Sequence, residues 1–425
     1  MTPLPPTNWA GNVSFRAARA HRPATLGELQ AVVAGAQRVR ALGTGHSFNR
    51  IADTTSDLVS VAGLPRVLEV DSGRRCVRVS AGLRFGELAG PLDEAGFALH
   101  NLGSLPHISL AGAIATGTHG SGVGNGTLAS AVSALELVTA DGSLQRLCRA
   151  DDPDRFDGSV VALGALGVVH TVELDVQPTY DVRLHVYEGL SLDTLSTRLD
   201  EVLSSGYSVS LFWDWRSDEV GQVWRKLRVG EGETGDAPRE WLGATLADGP
   251  RHPIPGLPGT MCTEQLGAVG PWHARLPHFR LEFTPSSGEE LQSEWFVARQ
   301  DAVAALRSLD DLRPRIAALL QISEIRTIAA DRLWLSPSAG RDTVALHFTW
   351  VRDEAAVAPV VAAIEQRLGA FAARPHWGKV FSTPPAVVRQ CYERFDDFEA
   401  LLRDTDPQGT FRNDLLDELF PGARA

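Results

Sequence analysis

The sequence predicts an α+β protein: a glycine-punctuated N-terminal part followed by a unit built on an antiparallel sheet. Three observations carry this. Short helical and strand signals alternate over the first 178 or so residues. Glycine-rich segments at 41–49, 103–126 and 164–169 interrupt them. From Tyr180 onward long strands such as 208–215 appear with amphipathic helices and Pro/Gly loops such as 230–259. At 425 residues the chain exceeds one ordinary core, and a division at 1–178, 179–374 and 375–425 is expected.

The elements follow in order. Thr25 to Val39 has apolar residues at helical spacing, with Thr25 as N-cap and Glu28 completing a capping box. Arg38 to Leu42 runs as a strand into the first glycine loop. Val67–Val70 and Cys76–Val79, split by Asp71-Ser72-Gly73, read as a hairpin. Phe85 to Ala95 is helical and stops at Gly96. Ala134–Val138 and Leu144–Leu147 flank Asp141-Gly142, a second hairpin. The 103–126 stretch is too apolar for a linker and too glycine-rich for ordinary helix, which suggests backbone laid against a ligand. Past residue 379 the chain turns helical and charged.

Composition narrows the function. Hydrophobic residues at 44% and charged residues at 22% are those of a soluble globular protein. A formal charge of −12 argues against a nucleic-acid or anionic-membrane surface. No segment reaches the ~20 apolar residues of a membrane span, and the proline-containing N-terminus lacks the apolar core of a signal peptide. Cys76, Cys148, Cys262 and Cys391 are widely spaced, which fits a reducing cytoplasm better than a disulfide framework or a zinc site.

The loop Ala41-Leu-Gly-Thr-Gly-His-Ser-Phe-Asn49 is the most informative segment. Gly43 and Gly45 let consecutive backbone N–H groups converge on an anion such as a pyrophosphate, with His46 fixed beside it. A Rossmann loop would need a third glycine where Phe48 stands, so this is a different nucleotide cradle. In the second unit, Glu324 and Arg326 are two apart in a strand, as are His347 and Thr349, so each pair projects from one sheet face. Their neighbours (Ile322, Ile325, Ile328; Leu346, Phe348, Trp350) are apolar, and the four polar side chains read as a pocket floor.

Taken with the 103–122 segment, Cys262-Thr-Glu-Gln, Phe283-Thr-Pro-Ser-Ser-Gly288 and Pro375-His-Trp-Gly-Lys379, these motifs resemble the vanillyl-alcohol oxidase and aldonolactone oxidoreductase family, and within it the polyol oxidases. The resemblance runs from Asn8-Trp9-Ala10-Gly11-Asn12 to the C-terminal helices. It implies a two-part FAD-binding domain, to which 375–425 returns, and a cap domain over 179–374. It implies FAD joined to His46, cradled by Ala41, Leu42, Gly43, Thr44, Gly45 and Ser47. Ser104, Ser109, Gly112, Thr116, Gly117, Thr118, His119, Val169 and His376 would complete its site. His107 is expected to serve only a turn.

By the same resemblance, Ser104, Glu324, Arg326 and Thr349 would grip the hydroxyls of a linear polyol. His347 or Glu324 would take the proton, His347 preferred because its ordinary pKa lies nearest operating pH. Arg326 would stabilise developing negative charge on oxygen, and Lys379 the reduced flavin. Gly103 would leave a path for dioxygen. A monomer is expected. The alternatives are a sugar-lactone oxidase or dehydrogenase of the same fold, and a flavin- or polyol-binding protein without turnover. A zinc hydrolase would need a His-Glu-x-x-His or cysteine cluster, and neither occurs.

Overall fold

Both expected hairpins form, and they build one sheet. In the computed structural model, which describes residues 4–230, 237–283 and 289–423, Leu68–Asp71 pairs antiparallel with Cys76–Ser80, and Val132–Val138 with Leu144–Cys148. The strand Val168–Asp175 joins the two into a five-stranded sheet. The second turn closes because Gly142 takes a φ of +81° and Asp141 accepts from the Ser143 N–H. Beside this sheet, Arg19–His21, Asp57–Val59 and Val39–Ala41 form a small parallel sheet that delivers the chain into the 41–49 loop.

The first helix is shorter than its spacing predicts. It spans Leu26–Ala34, capped by Thr25, which accepts from the Glu28 N–H, and it ends at Gly35, so Val39 falls into the strand. The Glu28 carboxylate takes the Ala24 N–H rather than that of Thr25. Phe85–Glu94 forms as expected. Within the 103–126 stretch lies a short helix, Leu110–Ala115, because Leu-Ala-Gly-Ala-Ile-Ala holds a single glycine among good helix formers.

From Asp181 onward the strands form a ten-stranded antiparallel sheet among the described residues. Its central order is Asp181–Ser191, Glu219–Arg228, Ser208–Trp213, Leu320–Ile328, Thr343–Trp350 and Leu291–Ala298. Period-two alternation divides its faces. Leu211, Trp213, Ile325, Leu346, Phe348 and Trp350 pack with Leu195, Val202, Ile316, Val360 and Ile364 from covering helices, in one continuous apolar cluster. Each such large side chain contributes roughly 1.5–3 kcal/mol on burial. The opposite face carries Phe212, Glu324, Arg326, His347, Thr349 and Glu294. The apolar face thus anchors the sheet that presents the polar one.

After the short strand Arg374–Pro375 come the helices Pro385–Gln390, Phe395–Thr405 and Asp414–Leu419. Phe395, Phe398 and Phe420 pack in the same apolar cluster as Val79, Leu88 and Leu135. Of the segments named from the sequence, residues 284–288 of the Phe283–Gly288 motif and 231–236 of the 230–259 loop lie outside the described residues.

Candidate active site: a glycine-lined cavity over a charged sheet face

Gly43 explains why the cradle closes. A Cβ built on it would lie 2.1 Å from Ser109 Oγ, so only glycine lets the 41–49 loop approach the 103–126 segment this closely. The Ser109 N–H donates to Thr44 Oγ1 at 3.1 Å across the contact. Gly45 takes a φ of +72°, and its carbonyl accepts from the Trp9 N–H at 2.8 Å. Buried Arg40 holds the third segment in place, donating to the carbonyls of Leu163, Gly164, Ile51 and Phe411. The far rim is set by the C-terminal part: Phe48 N–H donates to Gly378 O, and Asn49 Nδ2 donates to Trp377 O and Lys379 O.

These segments enclose a cavity of about 880 Å³ that runs on to the sheet face. Ala41, Leu42, Gly43, Thr44, Gly45, His46, Ser47, Ser104, Ser109, Gly112, Thr116, Thr118, His119, Val169 and His376 all line it, as do Glu324, Arg326, His347, Thr349 and Lys379. Gly117 does not. It turns away with a φ of +67°, and a Cβ there would meet Pro337 Cδ at 2.6 Å, so its glycine serves packing. His107 does more than serve a turn. It lines the cavity, with Nε2 2.9 Å from Leu281 O and Nδ1 buried without a partner.

His46 stacks on Trp9 with ring centroids 5.2 Å apart, and its Nδ1 lies 3.0 Å from Thr44 Oγ1. Burial first, then the charges of His107 and Arg84, push its pKa down to about 4, so the ring is neutral. Its Nε2 is buried with no partner. An imidazole with an unused nitrogen, beside a backbone cradle that a single Cβ would block, fits a flavin nucleotide.

On the sheet, Glu324 lies opposite His347, and His347 opposite Glu294. Glu294 is the hub that the sequence analysis did not single out. It is 1% exposed. Its Oε2 accepts from Lys379 Nζ at 2.6 Å, and its Oε1 from Arg326 Nη2 at 3.1 Å, with His119 Nε2 at 3.3 Å. Burial alone would raise its pKa; Lys379, His119 and Arg326 outweigh this and hold it well below the carboxylate range. Arg326 Nη1 also donates to Ser104 Oγ at 3.2 Å.

His347 is held from both sides, with Lys379 Nζ 2.8 Å from Nδ1 and Thr349 Oγ1 3.0 Å from Nε2. Burial, then Lys379, lower its pKa to about 3. The reason for preferring it as base, a pKa near neutrality, therefore fails. Glu324 is likewise held below its ordinary range, burial opposing and Arg326 and His278 prevailing. His278, also unforeseen, lies with its Nε2 2.7 Å from Glu324 Oε1.

A nucleotide cradle continuous with a charged sheet face is the plan of a flavoprotein. The family model described as FAD binding domain matches residues 17–147, and that described as D-arabinono-1,4-lactone oxidase matches 288–419. The chain is 52% identical to the alditol oxidase of a Streptomyces species over 98% of this chain and 99% of that one. It is 31% identical to the L-gulono-1,4-lactone dehydrogenase of Mycobacterium tuberculosis, over 96% and 97% of the two chains. To the L-gulonolactone oxidase of Mus musculus it is 27% identical, over 97% of each. A solved structure of cholesterol oxidase from Brevibacterium sterolicum superposes with a TM-score of 0.78 at 15% identity, over 98% and 96% of the chains, a likeness of fold alone. The chain belongs to the alditol oxidase and aldonolactone oxidoreductase family of vanillyl-alcohol oxidase-type flavoproteins.

Proposed function

We propose that this protein is an FAD-dependent oxidase that converts the terminal alcohol of linear polyols, such as xylitol and sorbitol, to the aldehyde while reducing dioxygen to hydrogen peroxide. The observation that carries it is the convergence of Glu324, Arg326, His347, Thr349 and Lys379 in the same cavity as His46. Acceptors and donors spaced along one sheet face suit a chain of hydroxyls.

Bound in the cradle, FAD would supply a two-electron acceptor for the hydride and a reductant for dioxygen. The neutral lone pair of His46 suits covalent attachment at the flavin's 8α-methyl carbon. The Leu42 N–H is taken by Val59 O, so the pyrophosphate falls to the backbone N–H groups of 43–47, and the proposed cofactor domain comprises 1–178 with 375–425, capped by 179–374. On this reading the enzyme works as a monomer in the reducing cytoplasm, where its four thiols stay free. Among the described residues no helix is long and apolar enough to cross a membrane.

Arg326, Ser104 and Glu324 meet the reacting oxygen, and Thr349 binds a further hydroxyl, so the reacting carbon is aimed rather than merely held. The hydroxyl proton leaves with or ahead of the hydride, and the hydroxyl becomes more acidic as the hydride departs. A weak base is therefore sufficient. Glu324 takes this proton: with the Lys379 ammonium donating to His347 Nδ1 and the ring's remaining N–H facing Thr349 Oγ1, no His347 lone pair is free to accept it. Arg326 stays charged throughout and stabilises the oxygen as negative charge builds. A Cβ built on Gly103 would meet His119 O at 3.6 Å, Thr118 Cγ2 at 3.7 Å and Ile108 Cδ1 at 3.8 Å; the residue stands next to Ser104 without itself lining the cavity, and a path for dioxygen past it is part of the proposal.

The test is peroxide release on adding xylitol or sorbitol in air. No peroxide, with rapid reduction of an artificial acceptor, would overturn the oxidase assignment. The match of residues 288–419 to a lactone oxidase model supports a second reading, oxidation of sugar lactones. Initial rates with xylitol and with gulono- and galactono-lactones decide between the two.

A further inference from the structure

One ionisable group lies behind the pocket lining, reached through His278, which itself lines the cavity. Lys226, in the strand Glu219–Arg228, is 1% exposed and does not line the cavity. Its Nζ donates to Leu276 O, to Pro277 O at 3.5 Å and to His278 Nδ1 at 3.0 Å. Burial lowers the Lys226 pKa to about 7; in the ammonium form, which predominates below that pH, it has three N–H groups and no lone pair. These three acceptors use all of them, and His278 Nδ1 is obliged to accept. The single proton of the His278 ring then sits on Nε2, which points at Glu324 Oε1 2.7 Å away. Burial and the Lys226 charge keep that ring neutral, lowering it to about 4.

The consequence falls on Glu324. Its Oε1 also faces Arg326 Nε at 3.4 Å. Among the described residues no protein group is bonded to Oε2, so that oxygen alone is left for the cavity. Held at Oε1, the carboxylate exchanges its two oxygens less readily, and a substrate hydroxyl meets Oε2 as its acceptor.

We propose that Lys226 and His278 are positioning residues that act through Glu324: Lys226 fixes the His278 tautomer, and His278 fixes which carboxylate oxygen faces the substrate. This rests on the reading of Glu324 as a substrate-binding group. Neither side chain is needed for the cradle around His46, so their loss is expected to leave cofactor content intact.

The experiment uses the flavin-loaded, full-length enzyme mixed with xylitol without air, following reduction by visible absorbance. His278→Leu is expected to lower kcat/KM about 100-fold, the cost typical of a displaced positioning group, with flavin content and the resting spectrum unchanged. His278→Gln, whose amide N–H reaches the Nε2 position, is expected to recover to within about tenfold of wild type. Lys226→Met is expected to add nothing further to His278→Leu, as for two residues acting through one contact. Should Lys226→Met fail to fold, the comparison of the two His278 variants decides alone. The proposal is overturned if His278→Leu reacts like wild type, if Gln rescues no better than Leu, or if the Lys226 and His278 losses multiply. A wild-type enzyme left oxidised by xylitol and sorbitol but reduced by a sugar lactone would instead overturn the polyol reading, and the same variants are then compared with the lactone as reductant.

Discussion

Glu294 and Lys379 lie 2.6 Å apart, one on the strand Leu291–Ala298 and the other just after Trp377-Gly378, and each is the strongest partner the other has. The pair ties the sheet face to the loop that closes the cradle. It also sets the charge of the floor, since Arg326 and His119 share the same carboxylate.

Removing that negative charge leaves two buried cations opposed. Glu294→Gln is expected to destabilise the flavin-loaded protein by about 3–5 kcal/mol, read from the urea midpoint at constant m. A loss below about 1 kcal/mol would show that the floor compensates its charge elsewhere.

Gly43→Ala places a methyl group against Ser109 Oγ. The expected result is folded protein with a sharply reduced ratio of flavin to protein absorbance. Ser109→Gly in the same chain removes the obstructing hydroxymethyl and is expected to restore most of the flavin. Failure of the second change to rescue the first would mean that the cradle is closed by something other than this contact.

For His46, the proposed link predicts a band that fluoresces under ultraviolet light on a denaturing gel of wild type. His46→Ala is expected to abolish that band. A band persisting in the variant would assign the attachment to another residue.

Acid destabilises by a route that can be signed. His278 and His347 are buried and neutral, at about 4 and about 3, against 6.5 in the unfolded chain. Between those values the unfolded state binds more protons, so their contribution is present above pH 6.5 and is lost as pH falls. Asp331, raised to about 6 by burial, opposes them over pH 6 to 4. These three groups together imply a loss of roughly 2–3 kcal/mol of unfolding free energy between pH 7 and pH 5, and the other buried neutral histidines, His46 among them at about 4, act in the same direction. A flat profile across that range would mean that these rings are protonated in the folded state.

The floor was legible where polar residues alternate inside an apolar run, as Glu324/Arg326 and His347/Thr349 do. Glu294 escaped because Gln292-Ser293-Glu294 places three polar residues together, which reads as a loop; Ser293 is in fact buried on the other face, bonded to Trp350 Nε1. Lys226 follows Trp224-Arg225, a basic stretch that resembles a solvent edge, and only the docking of His278 shows where its ammonium goes. Arg40 is a single charge between Val39 and Ala41, and its four carbonyl partners come from segments scattered along the chain. Membership of a glycine-rich segment likewise could not tell Gly112, which faces the cavity, from Gly117, which packs on Pro337. Periodicity reports a residue's own strand; it is silent on what other strands bring to it.

The rim of the cradle is completed by Trp377, Gly378 and Lys379, and Asn413 Nδ2 donates to the carbonyls of Arg50, Ile51 and Asp53 just beyond it. The loop that carries His46 leaves the ribosome more than three hundred residues before these partners do. The cradle is therefore complete only late in biogenesis: a nascent chain truncated ahead of Trp377 holds His46 but not the wall beside it.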